Sequence, residues 1–268
     1  MLASADAAPD ARDLVEALGL PALAAPPADD ATWLRWDADG LGLESPVGRV
    51  RVDLVGGAAG HRLRAGVGRG EPLAKAVAGR PGTPTACATV VDATAGLGRD
   101  SLVLAARGLV VRAVEQHPVV GALLEDGLRR ARAADPGHPA GRVTLLRGEA
   151  VAVLAGLTGD ERPDAVYLDP MFPERHESAL VRKEMRAVAA LLATSATPTD
   201  TSPGADPSSD DHARLLAAAL ACARRRVVVK RPARAQPLPS ARAPDLAVPG
   251  GHTVRFDVYF TGAADTPG

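Results

Sequence analysis

The chain has 268 residues, 46% of them hydrophobic and 24% charged, with a formal net charge of -1; this is the composition of one large or two small folded domains and excludes whole-chain disorder. Its longest apolar run, Leu215 to Ala223, is nine residues, against the roughly 20 that a membrane span requires. Asp6 and Asp10 sit where a signal peptide would be basic and then apolar, and two cysteines, Cys87 and Cys222, make neither a zinc cluster nor a disulfide framework, so the expected compartment is the cytoplasm.

Residues 1–40 are rich in Ala, Asp and Pro, with a short helix predicted over Ala11 to Leu18 between Asp10 as cap and Gly19 as stop. Leu41 to Glu44 and Arg49 to Val55 read as a hairpin around Ser45 to Gly48, its second strand alternating Val50, Val52 and Leu54 against polar residues. A glycine- and arginine-rich run follows, then a helix over about Glu71 to Ala78. From Thr89 the pattern is regular. Strands are predicted at Thr89 to Asp92, Leu109 to Glu115, Val143 to Arg147, Ala165 to Asp169 and Arg226 to Lys230. Helices alternate with them at Arg99 to Arg107, Pro118 to Ala133, Ala150 to Leu157, Ser178 to Ala193 and His212 to Ala223. Thr194 to Ser209 lacks apolar periodicity and reads as a flexible insertion. Asp245 to Val248 and Thr253 to Phe260 close the chain as a hairpin. This alternation predicts a mostly parallel sheet covered on both faces, with an antiparallel strand added at the end.

The net charge argues against a nucleic-acid partner only as a sum. Between His212 and Pro244 stand eight basic residues and no acid, and between Arg49 and Arg80 seven basic residues face only Asp53 and Glu71. A near-neutral chain with such runs can present a basic face. The excess of Arg over Lys fits a GC-rich genome and is assigned no function.

Val90 to Asp100 reads as strand, glycine turn and helix. Gly96 and Gly98 remove side chains where the chain turns and a ligand approaches the backbone, although two glycines also serve an ordinary tight turn. The turn lies at the carboxyl end of the first regular strand, where open α/β sheets bind ligands. Glu115 ends the next strand, 23 residues after Asp92, where a carboxylate accepts hydrogen bonds from ribose hydroxyls. The dinucleotide spacing G-x-G-x-x-G is absent because Ser101 takes the third glycine's place. That glycine serves close packing under a pyrophosphate, which S-adenosylmethionine lacks, so the loop favours a methyl donor over NAD.

Val166-Tyr167-Leu168-Asp169-Pro170-Met171-Phe172-Pro173 resembles the Asp/Asn-Pro-Pro-aromatic motif of amino-group methyltransferases, with Met171 in the second proline's place. An exocyclic base amine is a poor nucleophile because its lone pair is delocalised into the ring. The Asp169 carboxylate and the Pro170 carbonyl can accept its two hydrogens and hold the nitrogen in line with a sulfonium methyl. Phe172 can stack on the extruded base.

At this point the chain is similar to the ribosomal RNA small subunit methyltransferase J family over about Arg49 to Gly262. The similarity is carried by Val91 to Asp100, Tyr167 to Pro173, Leu180 to Arg186 and Arg226 to Pro232, with Asp53 to Gly57 and Gly68 to Glu71 nearer the front. The resemblance implies a Rossmann-like class I fold of the α/β class, with a mostly parallel seven-stranded sheet and an antiparallel C-terminal strand. It implies methyl transfer from S-adenosylmethionine, without a metal, to N2 of a guanosine near the 3′ end of 16S rRNA, free or in the small ribosomal subunit. The catalytic residues are expected to be Asp169, Pro170 and Phe172. By position, the cofactor contacts fall on Arg99, Asp100, Glu115, Gln116, Glu149, Ala150 and Asp169, beside Asp92, Gly96 and Gly98. Gln116 and the Glu149-Ala150 pair depart from the family's usual residues; Glu149 can still accept from an adenine amine, whereas Ala150 offers only backbone. RNA contacts are expected from His61, Arg62, Arg64 and Arg69 in the glycine-rich run, from Arg182, Lys183 and Arg186, and from Lys230 and Arg231. The expected organisation is an N-terminal extension over 1–81, a methyltransferase domain over 82–262 containing the 194–209 insertion, and a tail over 263–268. Chemistry alone leaves open another amine target, adenine N6 or a protein amide. A non-catalytic RNA-binding assembly factor is a further alternative.

Overall fold

In the computed structural model of the protein, the residues described are 2–3, 14–23, 25–27, 31–46, 48–57, 60, 71–79, 86–170 and 207–262. The predicted first helix is seen as one turn over residues 14–17, closed by Gly19 in a left-handed conformation. The front sheet pairs β1 (Leu2–Ala3), β2 (Trp33–Asp37) and β3 (Gly40–Glu44) in that order. The predicted hairpin is corrected here. β3 pairs antiparallel with β2, the strand before it, and meets the following segment at one bridge, Leu43 to Val50. Two features keep residues 51–56 out of the ladder. The Asp53 carboxylate accepts from the Val55 and Gly56 amides, and Arg130 takes the Val52 carbonyl. The apolar members of the alternation face the core: Val50, Val52 and Leu54 are all buried.

The main body runs α1 (Pro72–Ala78), β4 (Thr89–Asp92), α2 (Arg99–Ala106), β5 (Val110–Glu115), α3 (Pro118–Ala134), β6 (Val143–Arg147), α4 (Ala150–Gly156), β7 (Ala165–Leu168), α5 (Pro207–Cys222), β8 (Arg226–Pro232), β9 (Leu246–Pro249) and β10 (Val254–Phe260). The sheet order is β6-β5-β4-β7-β8-β10-β9; β4 to β8 are parallel, and β10 lies antiparallel between β8 and β9. This is the seven-stranded arrangement that the resemblance implies. The helix predicted over Ser178 to Ala193 lies outside the described residues. α5 begins at Pro207, so the last residues of the presumed insertion are helical. A first turn is specified by a proline of fixed φ and by polar residues rather than by apolar period, which is why the pattern missed it. Among the described residues, no helix is long and apolar enough to cross a membrane.

Strands buried on both faces need apolar residues at successive positions, and Val227, Val228 and Val229 supply them. Val228 packs with Val90 and Tyr167 into the layer formed by α1, α2 and α3; Val227 and Val229 join Val91 and Leu168 under α4 and α5. The chain lays β5 and β6 to one side of β4, then crosses back to place β7 on the other. That reversal opens a crevice at the carboxyl ends of β4 and β7.

The front segment shares the larger core, with Leu34, Leu41, Leu43, Val50, Val52 and Leu54 packed beside Leu123 and Leu128 of α3. Asp126 of α3 is buried and accepts from the Leu41 amide at 3.0 Å and from Arg129 and Arg130 at 2.8 Å each. Its neighbour Gly127 lets the front segment approach, since a Cβ there would stand 2.8 Å from the Val52 carbonyl oxygen. Asp126→Ala leaves the buried Leu41 amide without its acceptor and is expected to cost about 1–3 kcal/mol. Gly127→Ala is expected to cost a similar amount, roughly 1–3 kcal/mol, by overpacking. Thermal melts of both variants check this.

Candidate active site

The loop after β4 is built by backbone bonds to both neighbouring strands. The Ala93 amide donates to the Tyr167 carbonyl of β7 at 3.0 Å, and the Ala95 amide to the Val114 carbonyl of β5 at 3.1 Å. Gly96 and Gly98 have φ of +53° and +75°, a region that L side chains rarely adopt. Nothing lies within 4 Å of where a Gly96 Cβ would be, whereas one on Gly98 would collide with Leu124. Gly96 therefore leaves the loop open to a ligand, and Gly98 seats α2 against α3.

Glu115, at the end of β5, accepts from the Gly96 amide at 3.1 Å and the His117 amide at 2.7 Å. Burial raises its carboxyl above the ordinary glutamate range, against the pull of those backbone donors. The carboxylate is thereby aimed at the mouth of the glycine loop. His117 caps α3 and is held below the usual imidazole range by burial.

Across the crevice stand Asp92, Asp100, Tyr167, Asp169 and Lys230. Asp92, almost wholly buried, accepts from Ser101 Oγ at 2.5 Å and the Thr94 amide at 3.2 Å. Burial pushes its carboxyl up to about 7, with Asp100 and Asp169 adding repulsion and the Ser101 bond opposing. The Asp169 amide donates to Thr94 Oγ1 at 2.6 Å, which ties the residue after β7 to the glycine loop. Lys230 Nζ lies 2.8 Å from Asp169 Oδ2 and 2.9 Å from Asp100 Oδ2, and Tyr167 Oη donates to that same Asp100 oxygen at 2.7 Å. Burial works against the Lys230 charge, but Asp100 and Asp169 outweigh it and raise its pKa. Tyr167 stays protonated, because burial and the three surrounding carboxylates all oppose its ionisation.

Among the expected cofactor residues, Asp92, Gly96, Gly98, Arg99, Asp100, Glu115 and Asp169 thus stand on or beside one loop at the carboxyl edge. Gln116 is exposed directly after β5. Glu149 caps α4, accepting from the Val151 and Ala152 amides at 3.0 and 2.8 Å, and Ala150 opens that helix. Pro170 is buried beside Asp169. Phe172, His61, Arg62, Arg64, Arg69, Arg182, Lys183 and Arg186 lie outside the described residues. Lys230 turns to the carboxylates. Arg231 is buried and donates to the Gln236 carbonyl at 2.9 Å, so the RNA contact expected of it is replaced by a bond that shapes the loop after β8.

The basic stretch divides between the two edges of the sheet. Arg226 registers with Ala165 at the start of β7, and Arg224 and Arg225 bond the Asp160 and Asp164 region. All three sit at the amino edge, away from the crevice. Ser101, Thr94 and Tyr167 were not expected. Tyr167 carried a signal, being the one hydroxyl in an otherwise apolar strand; the Thr94 and Ser101 contacts depend on loop geometry that spacing does not show.

The crevice suits a cationic nucleoside cofactor. An open glycine edge admits the nucleoside, Glu115 can accept from ribose hydroxyls, and the Asp92, Asp100 and Asp169 carboxyls favour positive charge nearby.

The chain is similar to known methyltransferases. A family model described as "Putative SAM-dependent methyltransferase" matches residues 14–261. A ribosomal RNA small subunit methyltransferase J from Thioalkalivibrio sulfidiphilus is 45% identical over 266 residues, 97% of this chain and 96% of the relative. One from Edwardsiella ictaluri is 48% identical over 218 residues, 81% of this chain and 79% of the relative. The crystal structure of a SAM-dependent methyltransferase from Neisseria gonorrhoeae superposes with a TM-score of 0.73 at 36% identity, covering 98% of this chain and 96% of that one.

The buried Asp92 has a pH consequence. Its pKa is higher folded than unfolded, so its contribution to stability is present below about pH 4 and is lost as the pH rises to about 7. Asp92→Asn removes this titration. The melting temperature of the variant relative to wild type is expected to climb between pH 5 and pH 8, by the equivalent of roughly 2–3 kcal/mol. Calorimetric melts across that range check it.

Proposed function

The chain belongs to the ribosomal RNA small subunit methyltransferase J family, and from that premise we propose that it methylates the exocyclic N2 of a guanosine near the 3′ end of 16S rRNA. The enzyme is S-adenosylmethionine-dependent. The observation that carries the reading is Asp169, held at the carboxyl edge of β7 by Thr94 and Lys230 and next to the glycine loop. When bound, S-adenosylmethionine supplies an electrophilic methyl group on a positively charged sulfur.

The chain's own residues orient the nucleophile. The Asp169 carboxylate and the Pro170 carbonyl accept the two amine hydrogens, which localises the nitrogen lone pair and directs it along the line of transfer. Asp169 acts as a hydrogen-bond acceptor and not as a base that must first remove a proton, since the methylated nitrogen is cationic and acidic and gives its extra proton to solvent water after transfer. Glu115 orients the ribose, and Asp100 and Asp92 complement the cofactor's positive charge. Phe172 stacks on the base once it has left its helix.

The substrate is 16S rRNA or the small ribosomal subunit. The exposed Arg234, two residues past the end of β8, lies on the crevice side of the sheet, while Arg224 is exposed at the opposite edge. Arg234 is therefore a candidate for the RNA backbone.

Purified protein with labelled S-adenosylmethionine is expected to modify small subunits from a strain lacking this protein, with N2-methylguanosine as the product by mass spectrometry. Label in adenosine or in protein would overturn the reading. Asp169→Ala is expected to melt like wild type and lose at least about 100-fold in kcat. In filter-binding titrations against salt, Arg234→Glu is expected to weaken RNA affinity and flatten its salt slope, whereas Arg224→Glu changes neither.

A further inference from the structure

We propose that Lys230 is a positioning residue for methyl transfer, tying the Asp169 carboxylate to Asp100 so that it meets the substrate amine in one orientation. The inference rests on the amino-methyl transfer proposed above.

Lys230 belongs to β8, the strand beside β7. Its side chain leaves the sheet on the face of Val228, toward α2, and reaches Asp169 Oδ2 at 2.8 Å and Asp100 Oδ2 at 2.9 Å. Its side chain is 22% exposed and those of the two aspartates 14–15%. A lysine serving an RNA backbone extends into solvent, whereas this one is committed inward. Thr94 fixes the backbone of Asp169; Lys230 fixes its carboxylate. Tyr167 donates to the same Asp100 oxygen, so a hydrogen-bonded chain Tyr167-Asp100-Lys230-Asp169 ties the first turn of α2 to β7 and β8. Without the ammonium, two part-buried carboxylates would repel and the reacting one would turn away.

Among the described residues, the groups that bear on Lys230 are few. Asp100 comes from α2 and Asp169 and Tyr167 from the β7 end, while Asp92 of β4 acts through its repulsion with both aspartates. The register partner on β10 is Phe256, and its neighbours Arg255 and Asp257 bond each other. Lys75, the charged residue of α1, is exposed.

The test compares wild type, Lys230→Met and Lys230→Arg on small subunits lacking the methyl group, with S-adenosylmethionine affinity measured separately by calorimetry. Lys230→Met is expected to bind the cofactor and keep the KM for subunits within about threefold while kcat falls about 100-fold. Lys230→Arg keeps the charge and is expected to restore about a tenth or more of kcat. If Lys230→Met does not fold, Lys230→Gln takes its place with the same expectations. A variant with wild-type kcat and a raised, salt-sensitive KM overturns the proposal and makes Lys230 an RNA contact. A wild-type enzyme that leaves guanosine N2 unmodified overturns the functional reading itself, and this inference with it; loss confined to the variants leaves that reading standing.

Discussion

Among the described residues, the carboxyl edge of this sheet is governed by a balance between three buried or part-buried carboxyls and the Lys230 ammonium. Asp92, Asp100 and Asp169 converge where β4 and β7 end, and Lys230 is the lysine that reaches two of them. Burial raises the cost of every uncompensated carboxylate, and the protein meets that cost in three ways. Asp92 is pushed up to about 7 and leans on Ser101. Asp100 takes bonds from Tyr167 and Lys230, and Asp169 shares that lysine. The excess of acid that remains is the electrostatic complement of a positively charged methyl donor, and the same bonds that balance the charge also fix the side chains in place.

This arrangement depends on a rigid frame. The parallel strands are apolar on both faces, so their ends are set by packing while the loops beyond them carry the chemistry. The front segment strengthens the same frame. Its leucines and valines enter the core of α3, and Asp126 and Gly127 hold it there from a helix whose other end adjoins Glu115 and the glycine loop. The front sheet is thus part of the core that positions the site.

The basic residues divide more finely than their runs along the chain suggest. Arg49 and Arg51 pair with acids of the front sheet, Arg225 pairs with Asp164, and Arg231 and Arg255 bond carbonyls of the loop after β8. Counting charge along a run treats these residues alike, whereas a strand of seven residues such as β8 carries its two ends to opposite edges of the sheet. One end serves the frame and the other serves the site.

The alternating α/β order, the glycine loop, Glu115 at a strand end and the Asp169-Pro170 turn are legible in the amino-acid sequence. Each is a local pattern: apolar period, glycine at positive φ, a carboxylate or proline at the end of a strand. The strand pairing of the front sheet was not legible, because β2 reads Trp-Leu-Arg-Trp-Asp in a segment otherwise rich in Ala and Pro, and because Asp53 and the distant Arg130 divert the alternating run that looked like the partner of β3. That Lys230 faces Asp100 and Asp169, which lie 130 and 61 residues away in sequence, and that Arg231 is buried, follow from the folded arrangement of the strands. Side-chain partners across a sheet are set by strand order and register, and neither leaves a periodic trace within the chain.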